Sequence, residues 1–205
     1  MSEIFLTTSN ERKMRELREI LMEIRPDLKL KSKEDFNIQS VLNKPQESGR
    51  TYFENALLKA KYYYEILSKD GIKIPVLSED SGIEISALRM KPGIHSSRTP
   101  REDASDYERC TYILNLMSNE IDRKAKYVAC VVIYYDNMWI SAEGEVRGEI
   151  TRELRGNNGF GYDPIFYSFE LGKTFGESEI FEKNRVSHRA RALTKIIPFF
   201  KFLKS

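Results

Sequence analysis

The segment Glu79-Asp80-Ser81-Gly82 is separated by Ser78 alone from an apolar run at residues 74–77. Carboxylates at the end of a buried strand are placed to hold a hard cation over a crevice. Glu47, just ahead of a helical stretch, offers a further carboxylate. Magnesium suits such a set, because it keeps several waters and takes one or two carboxylates together with phosphate oxygens. The same four residues are equally compatible with an ordinary polar turn.

Three other segments could carry chemistry. Thr7-Thr8-Ser9-Asn10-Glu11-Arg12-Lys13 places small polar residues at a strand-to-helix turn. Backbone N–H groups and the helix dipole make such a turn receptive to an anion, and Lys13 on the first helical turn can reach the same anion. The alternative is a capped helix with a surface lysine. Next, Gly156-Asn157-Asn158-Gly159-Phe160-Gly161-Tyr162-Asp163-Pro164 lets the backbone approach a ligand closely and offers Phe160 and Tyr162 for stacking on a planar ring. The alternative is a turn-rich connection. Finally, Lys183, Arg185, His188, Arg189 and Arg191 crowd the predicted start of the last helix. Cations are disfavoured there, so a bound anion or an electron-rich carbonyl would resolve the conflict. A solvated basic surface is the alternative.

These segments need elements to position them. Strands are predicted at 4–7, 74–77, 83–87, 127–135, 139–142 and 145–152, with a possible edge strand within 29–39. Helices are predicted from an N-cap at Asn10, over 51–67, over 104–117 and over 187–203, where Pro198 would kink or end the last one. Residues 43–50, 91–100 and 155–163 read as loops, and Asp136-Asn137 as a hairpin turn. Mixed strands and helices in this order indicate an α/β or α+β domain, taken here as one domain over residues 1–205.

Composition narrows the function classes. The 205 residues carry 33 basic and 31 acidic side chains, a net charge of +2. That balance gives no support for a general nucleic-acid or membrane-surface binder. Cys110 and Cys130 are the only cysteines, too few for a disulfide scaffold and without the neighbours a zinc site requires, so both are expected in the core. No signal peptide is apparent, and no apolar run approaches the roughly 20 residues that span a bilayer. The cytoplasm is the expected location.

In order and spacing, the motifs resemble the inosine triphosphate pyrophosphatase family from about Phe5 to Leu193. The resemblance is carried by residues 8–13, Phe53-Glu54-Asn55-Ala56 with Lys59-Ala60, and Glu79-Asp80-Ser81-Gly82. It continues through Pro92-Gly93, Ser97-Arg98, Gly159 to Phe166, Lys183 and Ser187-His188-Arg189. Ser9, Glu79 and His95 depart from the family's usual glycine, aspartate and tyrosine. The resemblance implies an elongated mixed β-sheet flanked by helices, with two lobes around a central cleft, and a homodimer. It implies hydrolysis of non-standard purine triphosphates (ITP, dITP, XTP) to the monophosphate and pyrophosphate. Asp80 would accept the proton of the attacking water, and Glu47 and Asp80 would hold Mg²⁺. Thr8, Ser9, Asn10, Glu11, Arg12, Lys13, Lys59 and Ser81 would bind the phosphates and adjoining parts of the substrate. Phe160 would stack on the purine, Gly161 and Tyr162 would join it in binding the substrate, and Asp163, Lys183, His188 and Arg189 would read the purine's edge. Cationic donors there favour a 6-keto acceptor over the 6-amino donor of adenine. Two alternatives stay open: a relative acting on modified-pyrimidine or methyl-GTP triphosphates, and a nucleotide-binding regulator that does not hydrolyse.

Overall fold

The computed structural model describes residues 3–8, 10–36 and 45–204, with side chains to residue 200. Among these residues the architecture is mixed α/β. Strand β1 (Glu3–Leu6) leads into α1 (Glu11–Ile24), then the short β2 (Lys29–Lys31), α2 (Tyr52–Lys69), β3 (Val76–Ile85) and β4 (Lys91–Pro92). After α3 (Asp106–Leu116) come the long strands β5 (Lys124–Tyr135) and β6 (Met138–Ile150), the short β7 (Phe166–Ser168) and β8 (Lys173–Thr174), and helices α4 (Ile180–Val186) and α5 (His188–Ile196). An open eight-stranded sheet runs in the order β2-β1-β3-β5-β6-β7-β8, with β4 paired to β3. β1 is parallel to both β2 and β3, whereas β7 is antiparallel to β6 and β8.

Local chemistry explains the main boundaries. Asn10 is extended and its side chain accepts the Lys13 N–H, so α1 starts at the predicted cap. Thr51 caps α2 in the same way, accepting the Glu54 N–H. Asp136 and Asn137 have φ of 47° and 62°, the two left-handed residues of a tight hairpin turn between β5 and β6. β2 occupies the sheet edge, as expected for a polar strand; in the rest of that candidate edge segment Lys33–Asp35 form a 3-10 turn, and 37–39 lie outside the described residues.

The backbone packs as two compact units, one formed within residues 1–80, 129–143 and 191–205 and the other from 81–128 and 144–190. In the first, Ile4, Phe5 and Leu6 of β1 are fully buried, as are Ala56, Ala60 and Leu67 along one face of α2. In the second, Ile83 and Ile85, Cys110 and Ile113, Val146 and Ile150, and Tyr162, Phe166 and Phe175 form one apolar cluster. Both cysteines are buried free thiols, and burial pushes each up to about 12.

Four sequence expectations are corrected. β3 is one strand through Glu79-Asp80-Ser81-Gly82, so these residues lie within a strand and neither end one nor form a turn. β6 continues unbroken through residues 143 and 144 instead of splitting into 139–142 and 145–152. Residues 91–100 are not all loop, since they hold β4 and a 3-10 turn over Gly93–Arg98. The last predicted helix is shorter than 187–203: α5 begins at His188 as expected but gives way to a 3-10 turn from Ile197 that contains Pro198, and a separate helix, α4, ends at Val186 before the extended Ser187.

Candidate active site

In the first unit the candidate site centres on Asp80, which is 6% exposed. Its Oδ2 accepts the Asn55 side-chain N–H at 2.9 Å, and its Oδ1 lies 3.7 Å from Lys59 Nζ. Lys59 donates to Glu47 Oε1 at 2.9 Å and to the Glu79 carbonyl at 2.8 Å. One ammonium therefore ties Glu47 and Asp80 into a single cluster. Burial pulls the Lys59 pKa down, but Asp80 and Glu47 outweigh it and leave it above the ordinary lysine value. Burial also raises the Asp80 carboxyl above the usual aspartate range, against the opposing pull of Lys59, Lys13 and Asn55. A carboxylate with a raised pKa is a stronger base than a surface aspartate.

Glu79 does not join Asp80 as a second arm of one carboxylate pair. Successive strand residues point to opposite faces of a sheet. Glu79 accordingly meets α1, where its Oε2 pairs with Lys13 Nζ at 3.1 Å, while Asp80 meets α2. The strand can carry this polar sequence because each side chain finds partners on its own face. At the start of α1, Thr8 Oγ1 accepts the Asn10 N–H and Asn10 Oδ1 accepts the Lys13 N–H. Glu11 and Arg12 are exposed at the helix start. Ser9 lies outside the described residues.

In the second unit, Asp163 is the hub. Its Oδ2 accepts Lys183 Nζ at 2.6 Å and the Phe160 N–H at 2.8 Å. Asp163 and Lys183 are each 2% exposed, so this is a buried ion pair. Lys183 Nζ sits 4.8 Å from the Phe160 ring centre, and the Arg189 guanidinium 5.2 Å from the same ring. Arg189 also donates to Ser81 Oγ at 3.1 Å. His188 is 1% exposed. Thus Ser81, Phe160, Asp163, Lys183 and Arg189 belong to one constellation with two cationic donors at an aromatic ring, and His188 adjoins it through Tyr127, which stacks on the imidazole and bonds Asp163. Gly159 (φ 73°) is required there, because a Cβ would meet Asp163 Oδ2 at 2.1 Å.

Two expectations about this constellation change. Tyr162 is no stacking platform: it is 3% exposed, and its hydroxyl donates to the Ser96 carbonyl at 2.9 Å. Gly161 beside it has φ of 65° and accepts from the Cys110 thiol through its carbonyl. The crowding of cations at one helix start is also milder than predicted. Lys183 and Arg185 lie in the last turn of α4, where the dipole favours them, and only His188, Arg189 and Arg191 open α5. His95 is exposed.

Asn55 joins the Asp80 cluster, and sequence reasoning supplied no separate reason to expect it there. It is fully buried on the face of α2 that also buries Ala56 and Ala60, and its Oδ1 accepts the Gly49 N–H at 2.8 Å. A carboxamide on an otherwise apolar helical stripe is the signal that could have found it.

The Ham1 family profile matches residues 4–199. A dITP/XTP pyrophosphatase of Aquifex aeolicus is 42% identical, with 97% of this chain and 96% of that protein covered. One of Thermus thermophilus is 41% identical over 97% of this chain and 91% of its own length. Among solved structures, a HAM1 protein from Coxiella burnetii superposes with a TM-score of 0.84 at 33% identity, covering 98% of this chain and all of its own. The Ham1 protein of Staphylococcus aureus gives 0.83 at 32% identity with the same coverage. With the profile spanning nearly its whole length and relatives this similar, the chain belongs to the Ham1 family.

Proposed function

We infer that this chain is a nucleoside triphosphate pyrophosphatase that hydrolyses non-standard purine nucleotides (ITP, dITP, XTP) to the monophosphate and pyrophosphate. The observation that carries the reading is the constellation at Asp163. The buried Lys183 ammonium and the Arg189 guanidinium both lie against Phe160, and together they offer donors and no acceptor to the edge of a ring stacked there. A 6-keto purine satisfies such donors; adenine presents its own donor and leaves them unmet. The relatives named dITP/XTP pyrophosphatase support the same substrate class.

Asp80 is the proton acceptor for the water that attacks the α-phosphorus. Asn55 and Lys59 hold its carboxylate in place, and burial strengthens it as a base. Lys13, Lys59 and the capped start of α1 neutralise the triphosphate, so catalysis is mainly positioning and charge compensation. Glu47 and Asp80 fit Mg²⁺, being hard oxygen donors grouped on one ammonium. Among the described residues no group of three or more ligand-type side chains is gathered into a metal cage, which suits an ion completed by phosphate oxygens and water. Bound there, the ion would supply charge neutralisation and a more acidic water. No helix among the described residues is long and apolar enough to cross a membrane. We place the enzyme in the cytoplasm on its composition, and as a homodimer on the family resemblance.

The test is a panel of triphosphates with pyrophosphate and orthophosphate measured separately. ITP, dITP and XTP should yield pyrophosphate in the presence of Mg²⁺ and none in chelator. Orthophosphate as the first product, or no turnover of any 6-keto purine, would sink the reading. Arg189→Ala should lower the ratio of kcat/KM for ITP over ATP by about 10- to 100-fold, the cost of an unmet buried polar group. A ratio that does not move would remove Arg189 from base recognition.

A further inference from the structure

We propose that Tyr127 is a positioning residue for base binding, its hydroxyl orienting the Asp163 carboxylate and its ring fixing the plane of His188. The proposal rests on the reading of Asp163, Lys183, His188 and Arg189 as the base-recognition set. Tyr127 lies on β5 and is 7% exposed. Its ring is stacked on the His188 imidazole, with centres 4.8 Å apart and planes 8° from parallel. On its other contacts it packs against Phe166 and Phe175. A phenylalanine would fill the same space with no hydroxyl to satisfy, so packing alone does not explain a tyrosine.

The hydroxyl has a specific partner. It donates to Asp163 Oδ1 at 3.2 Å, while the Lys183 ammonium and the Phe160 N–H both bond Oδ2. The carboxyl torsion of an aspartate is intrinsically soft. Two donors on one oxygen leave rotation about that bond loosely set, and a donor on the second oxygen fixes it. Through Asp163 the constraint reaches Lys183 and Phe160, and through the ring it reaches His188. Burial and the Asp163 charge push the phenol well above its ordinary value, so it stays a neutral donor throughout the working range of pH.

Tyr127→Phe keeps the ring and removes only the hydroxyl. We expect KM for ITP to rise on the order of 10-fold, with kcat held within about twofold, the signature of lost ground-state binding. Inhibition by inosine monophosphate should weaken in step with KM, whereas inhibition by tripolyphosphate should not change. In a Lys183→Met background the same substitution should cost less than about threefold, because the partner through which it acts is gone. An unchanged KM and unchanged inosine monophosphate inhibition would overturn the proposal. So would equal weakening of both inhibitors, which would mark general loosening of the core. If ITP is cleaved and Tyr127→Phe behaves as wild type, this proposal alone fails. If ITP is not cleaved, the functional reading fails and takes this one with it.

Discussion

With Asp80 replaced by asparagine, kcat for ITP is expected to fall by about 10³-fold, the typical contribution of a positioned general base. The shape of the site survives the change: an asparagine oxygen still accepts from Asn55, and Lys59 keeps Glu47 and the Glu79 carbonyl as partners. Stability should not fall with activity. Burial holds the Asp80 carboxyl above its unfolded value, so between those two values the folded chain binds more protons than the unfolded one. Stability from this group is then present below the unfolded pKa and is lost as pH rises through the folded one. Asparagine removes that penalty. Measured without Mg²⁺ near pH 7, the thermal midpoint of Asp80→Asn should equal or exceed wild type. Turnover within tenfold of wild type at saturating Mg²⁺ would strike Asp80 from the chemistry. A midpoint well below wild type would show that the carboxylate is structural.

The largest loss of stability is expected from Asp163→Ala. The change leaves the Lys183 ammonium, 2% exposed, without the carboxylate that compensates it, and it frees the Phe160 N–H and the Tyr127 hydroxyl from their common acceptor. Removing one member of a buried ion pair costs about 3–5 kcal/mol. Urea unfolding should report a lower midpoint with an unchanged slope. Combining Asp163→Ala with Lys183→Met should recover part of the stability, since no buried charge is then left alone, but it should not restore preference for ITP over ATP. A loss below about 1 kcal/mol in the single variant would place the pair among weakly coupled surface ion pairs.

Much of the fold was legible because local chemistry and tertiary packing agree. The cap at Asn10, the stripe Ala56-Ala60-Leu67 and the Asp136-Asn137 turn each carry their own reason. β3 was not legible as one strand, because Glu79-Asp80-Ser81-Gly82 has turn composition. What makes it a strand is supplied from elsewhere: Lys13 for Glu79, Asn55 and Lys59 for Asp80, and Arg189 for Ser81. β7 and β8, of three and two residues, are too short to show a period. At the site, the cationic and carboxylate residues were visible from type and order. Their division between α1 and α2 was not, since it follows from strand alternation. Asn55 and Tyr127 were hidden for a related reason: each sits in an apolar pattern, and only the partner across space reveals what its polar atom does.

The two cysteines acquire a further meaning from their placement. At a pKa of about 12, only about one molecule in 10⁵ carries either thiolate at neutral pH, so electrophiles and peroxides have almost nothing to attack while the fold is closed. Cys130 belongs to the compact unit that carries Asp80, and Cys110 to the one that carries Asp163. Alkylation of each thiol therefore reports opening of the structure around it, giving the chain two native probes of local unfolding that require no introduced label.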